Sequence, residues 1–145
     1  MTPSRTITVL VVDDNPELLN VFANGLPLVG DFIVFTAEDG ARGLEAYYAH
    51  HPDCMVIDIK MPEMDGQQLV RVLRGDPATA DTPLIILTAL PQDQVAFASF
   101  ASGTDVFVMK PLIPRELAEA IYLALTVNAE ERARRLRLLV EEGDA

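Results

Sequence analysis

The sequence is poor in cysteine and in long apolar runs. Its 145 residues include one cysteine, Cys54, and no tryptophan. A single cysteine excludes an intramolecular disulfide and favours a reducing compartment. No apolar run approaches the roughly 20 residues that cross a bilayer, and the N-terminus lacks the pattern of a signal peptide. We therefore expect a cytoplasmic protein without a membrane segment.

Basic residues are also scarce. The chain has 11 lysines and arginines against 22 acidic residues, which gives a formal charge of −11. Because contacts to phosphates need a basic face, this balance argues against direct binding of nucleic acid. Half of the residues are hydrophobic, and the length suits one domain with a buried core.

The apolar residues that are present form short β-branched runs separated by segments with helical spacing. The runs lie at Ile7–Val12, Phe32–Thr36, Cys54–Ile59, Leu84–Thr88 and Val106–Met109. Residues typical of helix starts occur at Asn15–Pro16, Asp39, Asp65–Gly66, Pro91 and Pro114. Gly25 and Gly30 are expected at the end of the first helix. Repeated strand–helix alternation predicts a doubly wound α/β fold with five parallel strands and five helices.

Polar residues whose side chains can bind ligands or take part in catalysis follow the predicted strands. They are Asp13, Asp14, Asp58, Thr88 and Lys110, each at the last position of its strand or just after it. In open parallel sheets, sites form beyond the carboxyl ends of the strands. The sequence therefore predicts three carboxylates, one hydroxyl and one ammonium at one edge of the sheet.

Such a cluster needs positive charge, because neighbouring carboxylates raise one another's pKa. A hard divalent cation such as Mg²⁺ prefers oxygen ligands and leaves positions for water or phosphate oxygens. With the cation bound, a carboxylate can attack phosphorus and form an aspartyl-phosphate. Asp58, on the predicted central strand, is the best candidate nucleophile, with Lys110 and Thr88 placed to contact the phosphoryl oxygens.

Four motifs make a resemblance specific. "VVDDN" (Val11–Asn15), "VIDIKMPEMDG" (Val56–Gly66), "ILTAL" (Ile86–Leu90) and "GTDVFVMKP" (Gly103–Pro111) occur in order at four strand ends. Together they resemble the receiver domain of two-component response regulators, the CheY-like family, over roughly residues 6–126. The resemblance implies a flavodoxin-like sheet with strand order 2-1-3-4-5.

The same resemblance implies a phosphorylation site and a metal site. Asp58 would accept a phosphoryl group from a sensor histidine kinase or a phosphotransfer protein. Asp13, Asp14, Asp58 and the backbone carbonyl of Lys60 would hold Mg²⁺. The protein would then be a signalling switch rather than an enzyme, catalysing only its own phosphotransfer and dephosphorylation.

Further roles are implied around the last strand. Lys110 would pair with the phosphoryl group, Thr88 would move to hydrogen-bond it, and Phe107 would change rotamer with Thr88. The Lys110–Pro111 peptide bond would be cis. Taken singly, each residue has a plainer interpretation, since Phe107 suits an ordinary core and Lys110 a solvated turn.

Two other function classes stay open at this point. A haloacid-dehalogenase-type phosphatase also uses an aspartyl-phosphate, but it needs a second acid two residues after the nucleophile. Here Asn15 follows Asp13 at that distance, and Lys60 follows Asp58. The second alternative is a receiver-like interaction module that acts without phosphorylation.

The C-terminal segment predicts more than a minimal receiver. No glycine or proline interrupts a helix from Arg115 to about Glu142. We therefore divide the chain into a receiver domain, residues 1–126, and a helical extension or linker, residues 127–145. A linker, a coiled-coil arm and an amphipathic tail all fit the extension. A homodimer is possible through this helix or through the face of the fourth helix, fifth strand and fifth helix.

Overall fold

The computed structural model describes residues 5–59, 66–89 and 105–143. Five parallel strands form one sheet in the order β2-β1-β3-β4-β5, which confirms the predicted strand order. The strands are β1 (Ile7–Val12), β2 (Phe32–Ala37), β3 (Cys54–Asp58), β4 (Leu84–Thr88) and β5 (Asp105–Met109). Every predicted strand is present, and the bounds differ by at most one residue at an end.

Four helices flank the sheet within the described residues. They are α1 (Pro16–Val29), α2 (Gly40–His50), α3 (Gly66–Gly75) and a C-terminal helix (Pro114–Gly143). The helix predicted from Pro91 lies outside the described residues. The C-terminal helix spans 30 residues and is continuous across residue 126, so the boundary between receiver and extension falls inside a helix.

The predicted helix starts rest on side-chain caps. Asn15 accepts hydrogen bonds from the backbone N–H groups of Glu17 and Leu18, at 3.0 and 3.4 Å. Asp39 accepts one from the N–H of Arg42 at 2.8 Å. Each cap satisfies backbone donors that have no partner within the helix and contributes about 1 kcal/mol.

The end of α1 differs from the expectation. Gly25 and Gly30 were expected together at the exit, but α1 continues through Gly25 and Pro27, and only Gly30 follows its last residue. Gly25 has a packing role, because a Cβ atom there would overlap the side chain of Pro114. Gly25 therefore permits close approach of α1 to the C-terminal helix instead of ending α1.

Two apolar layers cover the sheet. On one face, β1 residues Val9 and Val11 pack with α1 and the C-terminal helix. On the other face, Leu10 and Val12 pack with α2 and α3, as the two-residue period of a strand requires. Every residue of β3 and β4 is buried, because both strands lie inside the sheet with helices over them.

The helices of the described ranges do not include a membrane span. Not one of them combines the length and the apolar character that crossing a bilayer requires.

Candidate functional site

Three carboxylates meet where β1 and β3 end. Asp13 and Asp14 directly follow β1, and Asp58 is the last residue of the neighbouring strand β3. One carboxylate oxygen from each lies within 4.8 Å of the others. Asp13 and Asp58 are 0% and 5% exposed, whereas Asp14 is exposed. Two buried acids and one exposed acid therefore form a cluster, with Asp14 on its solvent side.

Backbone contacts fix the orientation of Asp13. Its N–H donates to the carbonyl of Ala37 at the end of β2, at 3.1 Å. Its Oδ1 atom accepts from the N–H of Asn15 at 2.9 Å. Asn15 therefore both caps α1 and holds Oδ1 of Asp13 toward the start of that helix. The other oxygen of Asp13, Oδ2, then faces the cluster of acids.

Lys110 completes the cluster from β5. Its backbone N–H donates to the carbonyl of Thr88 at 2.8 Å. Its Nζ lies 2.9 Å from Oδ2 of Asp13 and 3.3 Å from Oδ2 of Asp58. Partial burial by itself lowers the pKa of Lys110, but the hydrogen bond and charge of Asp13, followed by those of Asp58, outweigh it and raise the pKa above its ordinary value.

Acidic groups outnumber basic ones in the part of this cluster that the structure describes. The Lys110 ammonium contacts Asp13 and Asp58, Asp14 adds a third carboxylate, and Asp13 and Asp58 are shielded from water. Burying ionised acids without enough opposite charge is costly. Oxygen ligands from acids at this spacing suit a hard divalent cation, and Mg²⁺ is commonly held by one or two carboxylates with waters or phosphate oxygens completing its shell. The residues present therefore fit Mg²⁺.

Thr88 lies on β4, the strand beside Asp58, and Phe107 lies on β5, one strand further out. Thr88 is the last residue of β4 and is 1% exposed, and its strand pairs with β3 next to Asp58. Phe107 pairs in register with Ile86 of β4 and is half-buried against the cluster under α2 and α3. Both predicted residues thus stand at or near the edge that carries the acids.

Two further predicted features have different outcomes. The Lys110–Pro111 peptide bond is cis, and Lys60 lies outside the described residues. The sequence did not indicate that Lys110 would make its shorter ion-pair contact with Asp13 and its longer one with Asp58. The excess of acids at the strand ends was the available signal for such a pairing.

Comparison with known proteins places this geometry in a family. A family model of the response regulator receiver domain matches residues 9–122. The DNA-binding dual master transcriptional regulator RpaA of Synechocystis is 34% identical over 75% of this chain and 45% of its own length. The DNA-binding response regulator MtrA of Mycolicibacterium smegmatis is 34% identical over 90% of this chain and 55% of its own.

Solved structures agree with these relatives. The receiver domain of a signal transduction histidine kinase from Syntrophus aciditrophicus aligns with a TM-score of 0.73 and 30% identity, covering 83% of this chain and 90% of that one. The N-terminal domain of a response regulator receiver protein from Methanoculleus marisnigri aligns with a TM-score of 0.63 and 37% identity, covering 79% and 93%. The chain spans about half the length of the curated regulators it matches. The chain belongs to the response regulator receiver domain family.

Proposed function

We propose that the protein is a phosphorylation-activated switch of a two-component system and that Asp58 is its phosphoacceptor. The observation that carries the proposal is the meeting of Asp58 with Asp13, Asp14 and the Lys110 ammonium at one sheet edge. Asp58 suits the nucleophile because it lies on the central strand with Thr88 at the end of the next strand.

Asp13, Asp14 and Asp58 are proposed to hold Mg²⁺, together with the backbone carbonyl of Lys60. Receiver domains use this ion at an acidic pocket, and the three carboxylates match its preference for oxygen. When bound, the ion neutralises the acids and draws charge from the phosphoryl oxygens.

The phosphotransfer step is a displacement at phosphorus. An oxygen of the Asp58 carboxylate forms the new P–O bond while the P–N bond to the partner's phosphohistidine breaks, and the imidazole leaves with that electron pair. Lys110, already oriented by Thr88 and Asp13, places its ammonium beside the incoming group. The Thr88 hydroxyl supplies a hydrogen bond to a second phosphoryl oxygen.

The phosphorylated state is read at the surface around β5 in this proposal. Phosphorylation adds negative charge at Asp58 and moves Thr88 toward it, and Phe107 follows. The described part of this surface exposes Met109, Ile113 and Leu123, at 39%, 59% and 53%. The helix predicted from Pro91, which lies outside the described residues, would complete the face.

Partners and output follow from the family and remain part of the proposal. The phosphodonor is a sensor histidine kinase or a phosphotransfer protein, which are partners of receiver domains. The output is a binding protein or a downstream domain, with 1–126 as the receiver and 127–145 as its helical extension. Homodimers would form through the β5 face or the C-terminal helix, and this acidic segment itself would not bind nucleic acid.

Phosphorylation is tested with Mg²⁺ and acetyl phosphate, followed by intact-mass measurement. We expect one added phosphoryl group that requires Mg²⁺ and is absent from Asp58→Asn. Sedimentation velocity on the same samples reports whether phosphorylation changes the oligomeric state.

Two outcomes would contradict the proposal. An unmodified mass under all conditions would favour an interaction module that acts without phosphorylation. Continuous turnover of varied phosphoesters would favour a phosphatase of the haloacid-dehalogenase type.

A further inference from the structure

Strand β2 lies at the edge of the sheet with one side of its backbone unpaired within the described residues. It pairs with β1 over its whole length, and no other described strand joins it. The N–H of Ile7 donates to the carbonyl of Asp31, and the N–H of Asp13 donates to that of Ala37. Odd-numbered residues of β2 therefore turn their backbone groups to β1, and Val34 and Thr36 turn theirs outward.

Within its own sequence, the strand lacks two of the features that usually protect a sheet edge. Its sequence, FIVFTA, contains no charge and no proline. Ile33 is 50% exposed, and Thr36 is also exposed. An uncharged strand of this length with outward N–H and C=O groups is a template for pairing with another extended segment.

Acidic residues stand at both ends of this edge. Asp31 precedes β2, and Glu38 and Asp39 follow it. Arg42, which is 66% exposed, lies 3.5 Å from Glu38 and 3.6 Å from Asp39, so one guanidinium offsets only part of the charge of the two acids at that end. The edge is therefore apolar in the middle and negative at each end.

This charge pattern selects the occupant. If a second copy paired antiparallel through β2, each Asp31 would lie opposite or diagonal to the partner copy's Glu38 and Asp39, because reversal brings the start of one strand beside the end of the other. Like charges in such positions oppose pairing. A segment with basic residues at both ends meets the same acids favourably.

A cleft continues this edge at the carboxyl end of β2. It has a volume of about 300 Å³ and is lined by residues of α1, β2 and α2, including Asn20, Thr36, Glu38 and Arg42. An extended segment beside β2 would pass this cleft and could place one side chain in it. The lining offers donors and acceptors of both signs, so it suits a polar side chain.

From these features we propose that β2 is a docking strand for an extended segment of another protein, with an uncharged, β-branched centre flanked by basic residues. The segment adds to the sheet through the N–H and C=O groups of Val34 and Thr36 and inserts one polar side chain into the cleft. This interaction does not depend on phosphorylation of Asp58, although Ala37 at the end of β2 is bonded to Asp13.

Amide hydrogen exchange on the whole chain tests the docking directly. In the free protein, we expect fast exchange at Val34 and Thr36 and slow exchange at Ile33 and Phe35. A short peptide of alternating valine and threonine with a lysine at each end should slow exchange at Val34 and Thr36 by about tenfold at saturation. The same peptide with glutamate at each end should bind about tenfold more weakly.

Matched variants separate backbone pairing from side-chain contact. Thr36→Pro removes an outward N–H that β1 does not use, a substitution that edge strands tolerate, and should abolish binding. Thr36→Val keeps the N–H and the shape and should retain it. If Thr36→Pro does not fold, Asp31→Lys with Glu38→Lys provides the test, because the preference should then shift to the glutamate-ended peptide.

Three results would overturn this proposal. They are unchanged exchange at Val34 and Thr36 with the lysine-ended peptide, equal binding of both peptides, and a free protein that already forms dimers through β2. Since acetyl phosphate is absent from these experiments, their failure leaves the phosphoacceptor assignment of Asp58 unaffected.

Discussion

The two ends of the parallel sheet treat their polar groups in opposite ways. At the carboxyl end, the ammonium of Lys110 contacts both Asp13 and Asp58, and Asp14 lies beside these two acids. At the amino end, polar groups pair with one another. Tyr47 and Thr82 join buried hydroxyls at 2.8 Å, and the side chain of Asp53 receives both Arg5 and a backbone N–H, at 2.9 and 2.8 Å.

This difference separates groups that can bind a ligand from groups that only stabilise the fold. These named groups at the amino end satisfy one another within the fold, so they stabilise it without needing a ligand. At the carboxyl end, three carboxylates are clustered and two of them are buried, an arrangement that suits the binding of a cation or a phosphoryl group. Variants at the two ends should therefore respond differently to ligands and to loss of a partner.

The largest expected effect is the loss of Lys110. In a chelating buffer at neutral pH, Lys110→Met should lower the free energy of unfolding by about 3 kcal/mol, because it leaves two buried carboxylates without their ammonium. The matched change at the amino end, Arg5→Met, should cost less than about 1 kcal/mol, since Arg5 is 63% exposed. Urea unfolding measures both, and equal losses would contradict the comparison.

The buried hydroxyl pair should give the next largest effect. Tyr47→Phe and Thr82→Val should each lower the free energy of unfolding by about 1–2 kcal/mol, since each leaves a buried partner without its hydrogen bond. The double variant should lose little more than either single one, which a double-mutant cycle would detect. Additive losses would mean that the two hydroxyls do not depend on each other.

A smaller and selective effect is expected from Mg²⁺. At about ten times its dissociation constant, the ion should raise the free energy of unfolding by about 1.4 kcal/mol, because it binds only the folded state. Asp14→Asn should remove most of this response. Asp81→Asn, which neutralises an exposed acid at the amino end, should keep it, and thermal unfolding with and without the ion makes the measurement.

The smallest effect should appear at Tyr48. The N–H of Ala78 and then the hydroxyl of Tyr48 lower the pKa of Asp76 below its ordinary value. The resulting stabilisation is fully present above the pKa that Asp76 has in the unfolded chain. It is lost as the pH falls through the lower pKa that Asp76 has in the folded protein. The difference in stability between the wild type and Tyr48→Phe should therefore shrink in the acid range, as urea unfolding at several pH values would show. A difference that stays constant with pH would contradict this account.

The sequence predicted most of the fold because its signals are local. Asn15 and Asp39 announce helix starts, and continuous β-branched runs such as Cys54–Asp58 indicate strands with both faces covered. The parallel topology then brings strand-end residues such as Asp58 and Lys110 to one edge without further information. Strand order itself came from family resemblance, since five buried runs permit several arrangements.

Side-chain pairings at the amino end were not predictable in the same way. The hydroxyls of Tyr47 and Thr82 are 35 residues apart in the sequence, and no spacing rule links a helix residue to the entry of a distant strand. The close packing of Gly25 against Pro114 was not predicted for the same reason. A glycine in a sequence indicates a helix end unless the residue that packs against it is known. Contacts of this kind depend on the assembled structure.

The course of the C-terminal helix has a consequence for how a chemical event could be felt at a distance. The helix begins at Pro114, four residues after Lys110, and continues to Gly143. At 1.5 Å per residue it is about 45 Å long. A tilt of about 5° at its first turn would displace its last turn by about 4 Å. A small rearrangement near the lysine is thereby magnified into a displacement comparable to the width of a side chain.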